Sequence, residues 1–304
     1  MRLHSSLALV LALVLLACDR SPEGTSEPGL LSDRPNILLI TYCTMRADRW
    51  GVYGGGELTP TIDAVASEGM VFRNHYTQAS YSGGSFASII TGKYGFHHGI
   101  YDHPRRLDDV HVTLGELFKQ AGYATGAFLT HGYIGPKWNY PQGFDRFNAF
   151  DLHQVPWSRL PDIFKTYRRP GEALEWIDEI GEQPYLLWFQ SKLTHYFPPT
   201  SPRFVSTEDY EVTREFKSRM KGIPNGRIMF DFESLGVSSK EREGLFSLYD
   251  GAVAETDEIL RMLLSGLEER GRLANTVIVI TADHGETLGE AGLFFNHDSN
   301  VYEP

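Results

Sequence analysis

Cysteine is scarce in this chain. There are two among 304 residues, Cys18 and Cys43. Cys18 stands ahead of the segment that reads as folded, so the folded part holds one thiol and no internal disulfide, and its stability must come from a buried core. Basic charge is also in short supply: 28 Lys and Arg stand against 39 Asp and Glu, for a formal net charge of -11. That balance excludes general nucleic-acid binding and adsorption to anionic membranes, and an anionic substrate has to be drawn in by a local positive site. Internal repeats are absent, as is low-complexity sequence beyond one short polar stretch. The apolar run at 7–16 is too short to cross a bilayer. What remains is 41% hydrophobic content, ordinary for a globular fold.

The leader has a defined grammar: Arg2, the apolar run, then "LLAC" at 15–18. This reads as a signal peptide over 1–17. It resembles a bacterial lipobox, which implies that Cys18 becomes the lipidated first residue of the mature protein. The expectation is an exported bacterial lipoprotein, anchored to a membrane and facing the periplasm or cell exterior. An ordinary cleaved signal with a chance cysteine is the alternative. Residues 18–33, rich in Pro, Gly, Ser and charge, read as a flexible tether, and 34–304 as the folded domain.

"NILLIT" (36–41), "YLLWFQ" (185–190) and "TVIVIT" (276–281) are continuous apolar runs of strand length, as expected for strands buried on both faces of a parallel sheet. Helices are expected between them. In "TPTIDAVASEG" Thr59 can cap, Pro60 suits the first turn and Gly69 ends the pattern. Thr113 with Glu116, and Ser238 with Glu241, stand at capping-box spacing, the second opening a helix to about Arg270. Alternating strands and helices predict an α/β fold, a mostly parallel central sheet flanked by helices on both faces. The region 150–232, rich in Pro, Tyr and charge, reads as long loops above the sheet apart from the strand at Tyr185.

Ligands of open parallel sheets bind at the carboxyl ends of the strands. After "TVIVIT" come Asp283 and His284, a hard oxygen and an imidazole nitrogen suited to a divalent cation, or else a surface accident. After "NILLIT" comes Cys43, either a ligand or a small residue filling a strand end. Ser82, in "YSGGSFASIITG", stands ahead of a helical run at 85–91 whose unpaired N–H groups would favour an oxyanion. It reads as a nucleophile or as a helix cap.

The segments "RPNILLITYCTMRAD", "TPTIDAVASEGMVFRNHYTQ", "SFASIITGKYGFHHGI", "GYATGAF", "YDGAVAETDEIL" and "TVIVITADHGETLGEAGLF", in that order and spacing, resemble the sulfatases of the alkaline phosphatase superfamily. The resemblance implies an alkaline-phosphatase-like fold and one divalent cation, calcium or magnesium. It places Ser82 at the nucleophile, Asp283 and His284 among the metal ligands, and Cys43 where the first metal-binding aspartate stands. His195 falls at a histidine near the substrate. His297, counted back from Tyr302, falls at a sulfate-contacting Lys or His. The implied substrate is a small-molecule or glycan sulfate or phosphate ester. Family members continue past "VYEP" into another core strand and a smaller C-terminal subdomain, so the resemblance implies that 34–304 is an incomplete domain, either a fragment or the product of a shortened gene.

Several positions depart from the family. Its C/S-x-P-S-R pattern, which directs oxidation of the nucleophile to formylglycine, reads Ser82, Gly83, Gly84, Ser85, Phe86, without the proline and the arginine. Cys43 exchanges a hard ligand for a soft one, which disfavours calcium and magnesium and leaves zinc as a candidate for Cys43, Asp283 and His284. Thr130 and His131 stand where the family's lysine is sought. His131 is either a substitute for it or a surface histidine. Three readings stay open: a metal-dependent sulfate-ester hydrolase, a phosphoesterase or phosphotransferase using unmodified Ser82, and a catalytically inactive sulfatase-fold lipoprotein that acts as a binding module.

Overall fold

The structure, a computed structural model, describes residues 31–102, 105–150, 170–196, 204–219, 236–290, 294, 295 and 297. The signal peptide, Cys18, most of the tether, and Tyr302 with the rest of "VYEP" lie outside the described residues. By contacts the chain divides into two compact units, Met1–Asp33 and Arg34–Pro304. No helix among the described residues is long and apolar enough to cross a membrane.

Five strands form one sheet in the order β3-β2-β4-β1-β5. They are β1 (Asn36–Tyr42), β2 (Ala124–Leu129), β3 (Arg146–Ala149), β4 (Tyr185–Ser191) and β5 (Thr276–Ala282). Every pairing is parallel, with Ile40 opposite Phe189 on one side and Ile280 on the other. Parallel strands need crossovers, and helices supply them. The helices are α1 (Pro60–Ser67), α2 (Ser82–Thr91), α3 (Gly95–His98), α4 (Leu114–Gln120), α5 (Gly171–Ile180), α6 (Leu193–Tyr196), α7 (Thr207–Arg219) and α8 (Ser239–Glu269).

The apolar runs serve both faces because side chains alternate along a strand. Leu38, Ile40, Tyr42, Tyr185 and Leu187 pack on Trp176 and Ile177 of α5 and on Leu248, Tyr249, Leu260 and Leu263 of α8. Leu39, Ala127, Leu129 and Trp188 turn the other way, onto Phe86, Ala87 and Ile90 of α2. The expected α/β sheet with helices on both faces is therefore present. At Gly126 in β2 an added Cβ would lie 2.8 Å from the Trp176 ring, so the close approach of α5 requires glycine there.

Local signals held where the partner is local. Thr113 and Ser238 form capping boxes with Glu116 and Glu241. Thr59 does not cap α1. Its hydroxyl accepts from Gly51 N, and the N–H groups of Thr61 and Ile62 donate to the buried carboxylate of Asp257 in α8, each at 2.9 Å. A carboxylate at a helix N-terminus is favoured by both hydrogen bonding and the dipole, so the tertiary cap wins. Two further expectations are corrected. α2 begins at Ser82 itself, with Tyr81 as the extended residue before it. The region 150–232 contains α5 and α7 among its described residues. In α5, Ala173, Trp176 and Ile177 fall on one buried face at helical spacing, a pattern hidden by the polar average of the region.

Candidate active site

Three parallel strands end at the site. β1 delivers Cys43, β2 delivers His131 and β5 delivers Asp283 and His284, while α2 aims its first residue, Ser82, at the same place. The turn after β1 is tightly held. Cys43 N donates to Ser191 O at 3.0 Å, Thr44 N donates to Asp283 Oδ1 at 3.0 Å, and Asp283 N donates to Tyr42 O at 2.9 Å. Thr44 takes a positive φ of 58° to make this turn, and the Tyr249 hydroxyl donates to its carbonyl at 2.7 Å. Thr194 donates to the Cys43 carbonyl.

Ser82 Oγ lies 3.5 Å from Cys43 Sγ and 3.2 Å from His284 Nε2, and all three residues are buried. His284 Nδ1 faces the Gly285 carbonyl at 2.9 Å. A carbonyl only accepts, so Nδ1 carries the proton and Nε2 presents its lone pair to the Ser82 hydroxyl. Burial, and the nearby His297 ring, lower the His284 pKa against the opposing pull of Asp283, which keeps the ring neutral. Burial first, and then Asp283, hold the Cys43 thiol well above its ordinary range, while Lys192 and the Ser82 hydrogen bond pull it down.

Asp283 Oδ1 is satisfied by Thr44 N and His284 N. Its Oδ2 is buried without a hydrogen-bond partner among the described residues and lies 3.4 Å from His284 Nε2. A buried carboxylate oxygen left so is expensive unless a cation or proton meets it. Asp283 and His284 thus fit a divalent cation, and the His284 Nδ1–H bonded to a carbonyl is the usual support of a metal-binding imidazole. Cys43 adds sulfur to the set, which suits zinc and not calcium or magnesium. Cys43, His131 and Asp283 each place one potential ligand atom within 4.8 Å of the others. His131 Nδ1 accepts from Tyr133 N at 3.2 Å, however, so the proton sits on Nε2 and neither ring nitrogen has a lone pair left for a cation.

The other two histidines join the group. His297 stacks on His284 with ring centres 4.6 Å apart and meets the edge of His195 at 5.0 Å. Its Nδ1 lies 3.1 Å from Glu286 Oε2, a carboxylate that fixes the ring. The structure therefore brings together Ser82, Cys43, His195, Asp283, His284 and His297. It also corrects the alternative of a surface histidine at 131, which is 1% exposed and meets the Phe86 ring edge-on at 5.9 Å. Sequence reasoning missed Glu286 and Lys192. Lys192 directly follows β4, where the strand-end rule that found Cys43 and Asp283 could have found it too. Phe86 occupies the place of the family's arginine as a fully buried ring against Trp188.

A family model described as Sulfatase matches residues 35–303. The chain is 27% identical over 93% of its length to an ulvan-active sulfatase of Formosa agariphila. It is 26% identical over 95% of its length to an N-acetylglucosamine-6-O-sulfatase of Bacteroides thetaiotaomicron. It spans 56% and 64% of those two relatives. Among solved structures, the phosphonate monoester hydrolase of Agrobacterium radiobacter superposes with a TM-score of 0.61 at 20% identity, covering 84% of this chain and 64% of that one.

Proposed function

Because the chain belongs to the sulfatase family of the alkaline phosphatase superfamily, we propose that it hydrolyses a sulfate or phosphate ester, with Ser82 as the nucleophile. The observation that carries this reading is the placement of Ser82 Oγ, at the start of α2, in contact with both Cys43 Sγ and His284 Nε2. Asp283, His284 and Cys43 would hold the cation. A cation bound there, for which zinc is the best match to the donors, supplies Lewis-acid polarisation of the ester and makes the Ser82 hydroxyl more acidic.

The remaining roles belong to the chain's own groups. With Nδ1 tied to the Gly285 carbonyl, His284 has only Nε2 to offer a cation, so in the loaded site Ser82 would be aimed by its place at the start of α2 and its contact with Cys43 Sγ, while the first N–H groups of α2 would face the oxyanion. Ser82 Oγ gives its proton to solvent and forms a bond to sulfur or phosphorus as the ester oxygen leaves, and water then cleaves the Ser82 ester to release sulfate or phosphate. His297, with its Nδ1 tied to Glu286, hands that oxygen a proton, with His195 beside it. Loss of the proline and arginine at Gly84 and Phe86 argues for attack by unmodified serine, which suits phosphorus. Relatives named for sulfated glycans make a glycan ester one candidate substrate. Export and membrane anchoring through Cys18 belong to the same proposal, tested by loss of fatty-acid labelling in Cys18→Ala.

The test measures release of 4-nitrophenol from its sulfate and its phosphate, together with the intact mass of the protein. Turnover lost in Ser82→Ala, with no loss of two hydrogens at Ser82 in the parent, supports the serine reading. Turnover that survives Ser82→Ala refutes it. The buried Phe86 favours one rival, an anion-binding relative without turnover. Saturable sulfate or phosphate binding with no product under any metal would establish that rival.

A further inference from the structure

Lys192 is 1% exposed, and the proposed mechanism does not use it. Lysine is almost never fully buried, because taking an ammonium out of water costs several kcal/mol unless an anion or a dipole meets it. Its place in the sheet is informative. The last paired rung between β2 and β4 sets Leu129 opposite Gln190. Two residues further along each strand stand His131 and Lys192, leaving the sheet side by side. Lys192 N donates to Thr130 Oγ1 at 2.9 Å, which ties the two exits together.

The family's lysine would fall at the β2 exit, where this chain has Thr130 and His131. Thr130 is occupied with β4, since its N–H donates to Gln190 Oε1 at 2.9 Å. The family's arginine beside the nucleophile is Phe86. Lys192 directly follows Ser191, whose carbonyl accepts from Cys43 N at 3.0 Å, and its ammonium lies 5.8 Å from the Tyr133 ring. His131, whose Nε2 carries the proton because Nδ1 accepts from Tyr133 N, has a ring nitrogen within 4.8 Å of ligand atoms of Cys43 and Asp283.

We infer that Lys192, at the exit of β4, has taken over from the β2 exit the task of holding the tetrahedral oxyanion, with the His131 N–H as its second donor. This rests on the reading of the site as one for sulfate or phosphate esters and names the groups that hold the transferred oxyanion. The charge is moved by one strand and not lost, although both family cations are replaced. A lysine presents a point charge, so it serves sulfate and phosphate alike.

The test is calorimetric binding of inorganic sulfate and phosphate to the full chain in the Ser82→Ala background, where no turnover intrudes. Lys192→Met, which keeps the length and removes the charge, is expected to weaken binding roughly 10- to 100-fold while the thermal unfolding profile stays cooperative. His131→Gln, which retains an N–H donor, is expected to weaken it less than His131→Ala. Returning the charge to β2 in Thr130→Lys/Lys192→Met should restore part of the affinity, which a merely structural lysine would not allow. Unchanged affinity in Lys192→Met, or no anion binding by the parent, overturns the inference. Lys192-dependent binding without turnover in the unmutated chain would leave the inference standing and remove the hydrolase. Turnover with Lys192-independent binding would do the reverse.

Discussion

Restoring the family's residues at 84 and 86 should unfold this protein sooner than it reactivates it. Phe86 is fully buried among Leu39, Ala127, Leu129, Ile134, Tyr140 and Trp188, and its ring lies 5.8 Å from the Trp188 ring and 5.9 Å from His131. Removing such a ring costs about 3–5 kcal/mol, and a guanidinium in its place adds the desolvation of a charge among apolar neighbours. A loss of at least about 5 kcal/mol follows, against a total stability of about 5–15 kcal/mol for an ordinary domain. Gly84 is blocked differently. A Cβ there would meet the Tyr81 Cζ and hydroxyl at 2.8 Å and the Ala79 Cβ at 2.9 Å. The Tyr81 hydroxyl donates to Ile100 O at 2.8 Å, so moving the ring breaks that bond. Proline at 84 is tolerated by the first helical turn but costs about 1–3 kcal/mol through this overlap. Thermal melts followed by circular dichroism should show Phe86→Arg falling by about 10–20 °C, at roughly 2–4 °C per kcal/mol, and Phe86→Leu by far less. A Phe86→Arg variant melting within about 3 °C of the parent would refute the packing argument.

Cys43→Asp should raise calcium or magnesium affinity and lower zinc affinity, each by about tenfold or more, and equal affinities by calorimetry would remove Cys43 from the cation site. Asp257→Ala, which strips two N–H groups of α1 of their acceptor, should cost about 2–4 kcal/mol in denaturant titration, and a loss below about 0.5 kcal/mol would show that water replaces the cap. His98 is held neutral by burial, with a pKa lowered to about 4 from 6.5, while Ile100 N donates to its Nδ1. Between those values the unfolded chain takes a proton that the folded chain refuses, so this stability is complete above pH 6.5 and lost as the pH falls toward 4. The loss is at most about 3 kcal/mol. A melting temperature equally steep over that window in His98→Gln would assign the pH dependence elsewhere.

Legibility in the sequence followed the range of the interaction. β1 and β4 announce themselves as continuous apolar runs because both faces of each are covered, whereas β5 carries the same kind of run at the end of the strand order, where its residues are only half-buried and Val279 is exposed, so the expectation of burial on both faces is corrected there. β2 is quieter, since "ATGAFL" carries Thr125 and a glycine whose need is set by Trp176, 50 residues away. Both capping boxes were readable because the partners are three residues apart. The cap of α1 was not, because Asp257 lies 195 residues from Ile62. Cys43, Asp283 and His284 were found by their position just past a strand, and Ser82 by its glycines. His131 looked like a loop residue because nothing in its own segment reveals that Phe86 and Tyr133 enclose it. Lys192 stands at a strand end that the same rule could have searched, and only its nearness to His131 needs the β2–β4 register to be seen.

The pairing of β1 with β5 joins Asn36 to Thr276, 240 residues apart. A chain made at about 5–20 residues per second therefore carries a finished first strand for roughly 12–50 s before its last partner exists. Through that interval Asp283 and His284 have not been made, and Cys43, buried once β5 has docked, stands open to solvent or to any thiol-reactive agent. The same coupling acts in reverse in the finished molecule. Any excursion that peels β5 from β1 breaks the Asp283 N to Tyr42 O bond and uncovers the thiol in one event. Cys43, the one cysteine of residues 34–304, thus reports on the last-made contact of the sheet, and its rate of alkylation measures how often the site comes apart.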